Sequence, residues 1–212
     1  MDRKKTQKAK CSIERIEHDN ILKYFDTEAT VLELGARYGT SSCTICKRQN
    51  NSGRLVAVEP DPSAWESLQA NRLNNNCNFT IIQMPVSSVP IAVQYSSAYN
   101  TISVPARKNS PYITFTELEI KLGVKFTSIL IDCEGCIEFL FGNMNLQKLH
   151  SVLKHIDTIL LEADMAIGHR CNKQNCVDYG KWEKRFNQAG LQTVLKIQDP
   201  IFESICHYVF KR

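Results

Sequence analysis

At 212 residues the chain is long enough for one domain with a proper core and short for two. A hydrophobic fraction of 43% with 23% charged residues is that of a soluble globular protein, and apolar runs no longer than Leu55-Val56-Ala57-Val58 exclude a bilayer span of roughly 20 residues. The formal charge of +4 sits wholly in residues 1–10, leaving 21 basic and 21 acidic groups on the rest, so the folded part lacks the basic stripe of a nucleic-acid binder.

The first ten residues are read as the basic part of a disordered tail over 1–11, followed by a single domain over 12–212. No apolar stretch follows Met1-Asp2-Arg3-Lys4-Lys5, so no signal peptide is expected. Ile13, Ile16, Ile21, Leu22 and Phe25 recur at helical spacing and predict a helix over 12–26. Thr30 to Leu34 is the first strand, ending at Gly35, and a helix follows over 41–49. Asn51-Ser52-Gly53 turns the chain into a second strand, Leu55 to Glu59. Pro60-Asp61-Pro62-Ser63 opens a helix to about Leu73, and Phe79 to Gln83 is the third strand. Strand and helix alternating over about 55 residues imply right-handed crossovers and a parallel sheet covered on both faces.

Residues 86–113 break that rhythm with a hairpin, Ile91–Tyr95 against Asn100–Val104. A helix over 114–122, a fourth parallel strand over 127–131, helices over 137–141 and 146–155, and a strand over 158–162 resume it. A loop over 164–177, a helix over 178–189 and two strands, 191–197 and 204–210, complete the chain, the last two close enough to pair antiparallel.

The nine cysteines are an odd set scattered through helices and strands, unlike a compact disulfide framework. Cys43-x-x-Cys46 and Cys133-x-x-Cys136, even with Cys171 and Cys176, match no compact zinc knuckle. Reduced, mostly buried thiols in a cytoplasmic protein are expected.

A ligand of an open parallel sheet binds beyond the carboxyl ends of its strands. Polar or acidic residues stand at five such ends: Glu33 before Gly35, Glu59, Gln83, Asp132 with Glu134, and Glu162 with Asp164. A dinucleotide fingerprint starting at Gly35 needs glycines where Arg37 and Thr40 stand, which argues against a nicotinamide oxidoreductase, and no Gly-Lys-Ser/Thr marks a phosphate loop. A glycine turn preceded by an acid suits a cofactor with a cationic amino-acid end and no phosphate. Glu59, ending the second strand, is placed to accept the hydroxyls of a ribose, its bland alternative being a helix-capping acid beside Pro60.

The segments Val31-Leu32-Glu33-Leu34-Gly35-Ala36-Arg37-Tyr38-Gly39-Thr40, Val56-Ala57-Val58-Glu59-Pro60 and Ile129-Leu130-Ile131-Asp132-Cys133-Glu134-Gly135-Cys136-Ile137-Glu138 resemble the FkbM-type family of S-adenosylmethionine-dependent methyltransferases. The resemblance covers residues 27–165. It implies a Rossmann-like class I methyltransferase fold: a mostly parallel seven-stranded sheet, helices on both faces and an antiparallel C-terminal strand. It implies S-adenosyl-L-methionine as cofactor, held by Glu33, Gly35, Ala36, Tyr38, Gly39, Glu59, Pro60 and Gln83. Glu33, Gly35 and Gly39 would flank the methionine end, Glu59 the ribose and Gln83 the adenine. The implied acceptor is a hydroxyl of a sugar or glycan.

The sulfonium donor is already activated, so the protein must align an acceptor oxygen and take its proton. Asp132, Glu134 and Glu162 are the candidate catalytic residues. Asp132, Glu162 and Asp164 are candidate ligands for Mg2+ or Mn2+, the alternative being that the acids only order the loop and substrate. Glu138 is placed to share a face with Glu134 or to pair with a lysine. His169 and Arg170 occupy a loop suited to acceptor contact, and Tyr95, Tyr99, Tyr112 and Trp182 either wall a sugar site or belong to the core. The lysine-rich start and lack of substrate-capture modules fit a domain excised from a larger glycan-modifying polypeptide. Other small-molecule hydroxyls or a protein are alternative acceptors, and a catalytically inactive scaffold is the non-enzyme alternative.

Overall fold

The computed structural model describes residues 14–95, 101–164 and 176–212; the expected tail over 1–11 lies outside them. In chain order the elements are α1 (Arg15–Tyr24), β1 (Val31–Leu34), α2 (Thr40–Arg48), β2 (Leu55–Val58), α3 (Pro62–Asn74), β3 (Thr80–Ile82), β4 (Ile91–Tyr95) and β5 (Thr101–Pro105). There follow α4 (Phe115–Leu122), β6 (Ser128–Ile131), α5 (Ile137–Phe141), α6 (Leu146–Leu153), β7 (Thr158–Ala163), α7 (Tyr179–Gln188), β8 (Gln192–Gln198) and β9 (Cys206–Lys211). One sheet has seven strands in the order β3-β2-β1-β6-β7-β9-β8, and β4 and β5 form a separate hairpin. The first five strands of the large sheet pair in parallel, while β9 runs antiparallel to both β7 and β8.

Every residue of β1, β2 and β6 is buried, as expected of strands covered on two faces. Alternation sends Leu32, Leu34, Val56, Val58, Ile129, Ile131, Ile159 and Leu161 to one core, where they meet Leu118, Leu140, Phe141, Leu149, Trp182 and Phe186 from α4 to α7. Val31, Leu55, Ala57, Leu130, Leu160 and Val209 face the other core, under Ile21 of α1, Phe25 at its end, Ile45 of α2 and Leu68 of α3. The same period of two places Glu33, Asp132, Glu162 and His207 on this second face, each two residues from an apolar neighbour, at the rim beneath α1.

Helix starts follow local chemistry. Asp61 caps α3 ahead of Pro62, Asn145 caps α6 and Asp178 caps α7, each side chain accepting an otherwise orphaned amide. Thr114 and Glu117 form a reciprocal capping box on α4.

Cysteine pairing departs from expectation. Cys43 on α2 is joined to Cys77 ahead of β3, and Cys133 to Cys136; Cys176 is also disulfide-bonded, while Cys46 and Cys206 are free. Partners separated by 34 residues meet only through the β2 crossover, a proximity that spacing does not reveal. The expectation of reduced thiols is corrected, and with it goes the cysteine argument for a cytoplasmic location. No helix among the described residues is long and apolar enough to cross a membrane.

Candidate functional site

The carboxyl rim of the sheet is organised by the turn after β1. Gly35 N and Ala36 N both donate to Val58 O, and Asp132 N donates to Leu34 O, so the turn is pinned between the ends of β2 and β6. Gly35 has φ +93°, and a Cβ there would stand 1.6 Å from Asp132 O; only glycine permits that approach. Arg37 and Gly39 also have positive φ, 45° and 83°, which folds the loop back toward β2.

Glu59 receives that fold. Its Oε2 accepts from Arg37 N at 2.8 Å and its Oε1 from Asp61 N at 2.7 Å, while Arg37 Nη1 reaches Asp61 Oδ2 at 3.1 Å. The side chain is only 4% exposed, and burial raises its pKa, partly offset by those two amides and by Arg37. Ala36 is buried, Tyr38 is 38% exposed, and Gln83 is exposed just beyond β3. Pro60 is half-buried beside Glu59.

Glu33 does not line the cleft surface. It is 1% exposed, faces the helices, and its Oε2 accepts from Ser42 Oγ at 2.5 Å. Burial pushes its pKa up to about 8, the serine hydroxyl partly offsetting this. Its neighbours reveal a pattern that the sequence reading passed over: three consecutive hydroxyl residues opening α2 each serve a glutamate. Thr40 donates to Glu14 at 2.5 Å, Ser41 to Glu17 and Ser42 to Glu33, near a helix N-terminus that favours negative charge.

Along the rim, Ile131 pairs with Leu161, and Glu162 pairs with His207; extending that register makes Asp132, Glu162 and His207 one cross-strand row. Glu17 descends on it from α1. One carboxylate oxygen from each of Glu17, Asp132 and Glu162 lies within 4.8 Å of the others. Burial is the largest cause raising Asp132 and Glu162, followed by Glu162 for Asp132 and Glu17 for Glu162. His207 lies with Nε2 3.2 Å from Asp199 Oδ2 and Nδ1 3.7 Å from Glu162 Oε2, and burial lowers its pKa. Asp164 accepts from the Tyr179 hydroxyl at 3.2 Å, and its charge also acts on both Asp132 and Glu162. Glu17, on a helix read only for its apolar stripe, is the acid brought to the pair.

Glu134 adopts φ 42°, uncommon for a side-chain-bearing residue. It is half-buried, and burial, then Asp164, pushes its pKa up to about 8 against the opposing Arg37. Glu138 Oε1 accepts from Trp182 Nε1 at 2.7 Å, which ties α5 to α7. Trp182 is fully buried between Phe141 and Phe186, so it belongs to the core and cannot wall a substrate. His169, Arg170, Tyr99 and the side chain of Tyr95 lie outside the described residues.

No family model matches the sequence, and no curated protein matches it. Solved structures do. Precorrin-6y C5,15-methyltransferase from Geobacter metallireducens aligns with a TM-score of 0.54 at 12% identity, over 92% of this chain and 86% of that one. Ribosomal protein L11 methylase from Lactobacillus delbrueckii aligns at 0.53 and 12%, over 91% and 74%. Aeropyrum pernix fibrillarin, solved with natively bound S-adenosyl-L-methionine, aligns at 0.51 and 15%, over 86% and 66%. The chain has the Rossmann-like class I methyltransferase fold, as its sheet order and antiparallel last strand also show. The FkbM-type resemblance is overturned, since no family model supports it and the matched structures are a precorrin methyltransferase, an L11 methylase and a fibrillarin. Its quoted segments are the strand ends that this fold brings to one rim, which is why they resembled a family. The sugar or glycan acceptor came with that family and is withdrawn with it.

Proposed function

We propose that the chain binds S-adenosyl-L-methionine at the rim of β1 and β2 and transfers its methyl group to a hydroxyl oxygen. The observation that carries this reading is the acid ending β2, held by its own carboxylate against the glycine turn after β1. A similar fold in Aeropyrum fibrillarin holds this cofactor natively. The donor set suits it. Glu59 spends one lone pair of each oxygen on a backbone amide and keeps the others for ribose hydroxyls, and exposed Gln83 stands at the next strand end for the adenine edge. Gly35, Ala36, Tyr38 and Gly39 form the turn on which the amino-acid end would lie, and Pro60 stiffens the exit from Glu59. Glu33 acts from beneath as a positioning residue, fixing the start of α2 through Ser42.

The cofactor supplies an activated sulfonium methyl group. The chain has to exclude water, align an oxygen and accept its proton. Glu134 is assigned the last role, since a carboxyl with a pKa near neutrality is a more effective proton acceptor than an ordinary one. Asp132 and Glu162 order the acceptor side of the rim. A single domain over 12–212 is part of this reading.

Calorimetric titration with S-adenosylhomocysteine tests it. Micromolar binding is expected, weakened at least about tenfold by Glu59→Ala through loss of charge-assisted hydrogen bonds. Absence of binding by the folded wild-type protein would refute the cofactor assignment.

A further inference from the structure

The row at the end of β6 and β7 combines features that a cluster of acids alone does not. Glu17, Asp132 and Glu162 come from a helix and two adjacent strands, yet an oxygen of each lies within 4.8 Å of the others. Glu17 is 4% exposed; its Oε1 accepts from Ser41, while its Oε2 is buried with no hydrogen-bond partner among the described residues. A buried carboxylate oxygen left bare costs more than almost any other polar defect. Among the described residues, the charges acting most strongly on Asp132 and Glu162 are those of other acids.

Outer contacts hold these carboxylates in place. Ser41 orients Glu17, and His207, held by Asp199 through Nε2, turns Nδ1 toward Glu162. Fixed outer partners of this kind orient the ligands of metal sites. We propose that Glu17, Asp132 and Glu162 bind a divalent cation. Three carboxylate oxygens are a hard donor set, suited to Mg2+ or Mn2+, which leave remaining positions to water or an acceptor oxygen. The third protein ligand is Glu17, because the oxygens that lie within 4.8 Å of one another are those of Glu17, Asp132 and Glu162 and not that of Asp164. The ion docks α1 onto the sheet rim, so its binding is read in stability as well as in activity, independently of any S-adenosyl compound.

The test uses Mn2+ alone, titrated into the chelator-treated full chain by electron paramagnetic resonance, with melting followed in parallel. The expected result is one bound Mn2+ and a rise in Tm of about 5 °C or more near saturation. Glu17→Gln weakens Mn2+ binding at least about tenfold, whereas Asp164→Asn leaves it within about twofold. Without metal, Glu17→Gln melts no lower than the wild type because it relieves the crowding of three carboxyl groups at one buried point, which also shows that the variant folds. Absence of bound Mn2+ in the wild type at millimolar concentration overturns the proposal. So does wild-type affinity in Glu17→Gln, or loss of binding in Asp164→Asn alone.

Discussion

Two glycines show how differently one residue type is used. Gly35 combines φ +93° with a backbone carbonyl 1.6 Å from where a Cβ would stand, so neither strand can yield without breaking the rim. Gly123, ending α4 at φ +66°, has nothing within 4 Å of that position. Gly35→Ala is therefore expected to cost about 4 kcal/mol or more in urea denaturation, and Gly123→Ala only about 1 kcal/mol. Equal costs would show that the turn does not press on Asp132 as described. The sequence marked Gly35 as a ligand-approach glycine; the structure adds that the approaching backbone is the chain's own. Glu33 likewise reads as a cleft acid in sequence because strand ends are where ligands bind. Its inward direction follows from pleat parity and from Ser42, which stands nine residues away.

At the level of elements, local chemistry and packing contribute separately. The helix over 114–122 is expected from the sequence, and the structure adds the capping box of Thr114 and Glu117 that starts it. Thr114→Ala removes an exposed cap and is expected to lower stability by about 1 kcal/mol, measured by chemical denaturation with the cofactor titration unchanged. A larger loss, or altered S-adenosylhomocysteine binding, would mean that α4 supports the rim more directly. The first helix shows the opposite case. Its apolar spacing announced a packed helix, and Ile21 and Phe25 are buried as that requires. Nothing in the spacing announced that Glu17 would be buried too, because the partner carboxylates arrive from strands more than a hundred residues away.

Across the whole molecule, the second sheet face carries an acidic rim under α1 where the opposite face is apolar. After burial itself, the charges of Glu17 on α1, of Glu14 just before it and of Glu59 just after β2 raise the pKa of Glu33, with Ser42 opposing. Its folded pKa of about 8 exceeds the ordinary 4.5, so the folded chain keeps a proton that the unfolded chain releases. The stability linked to that proton is full below about pH 4.5 and is lost as pH rises toward 8, by about 1.4 kcal/mol per unit. Urea midpoints measured with chelator at pH 5, 6.5 and 8 should therefore fall, and Glu33→Gln should flatten the decline and be the more stable protein at pH 8. A midpoint that rises over this range would show that Glu33 is ionised in the folded state.

Sequence by itself determined the alternation of strands and helices, the parallel sheet with its antiparallel finish, and the polar strand ends that gather at one rim. These are local or nearest-neighbour properties: hydrophobic period, turn residues, caps and the handedness of crossovers. Tertiary structure alone decided which acids meet. It carried Glu17 to Asp132 and Glu162, gave Asp164 to Tyr179 and Glu138 to Trp182, joined Cys43 to Cys77, and put Trp182 in the core. Each of these pairings depends on strand order and face. Those are set by burying the two apolar surfaces of the whole sheet, and no stretch of sequence contains that information locally.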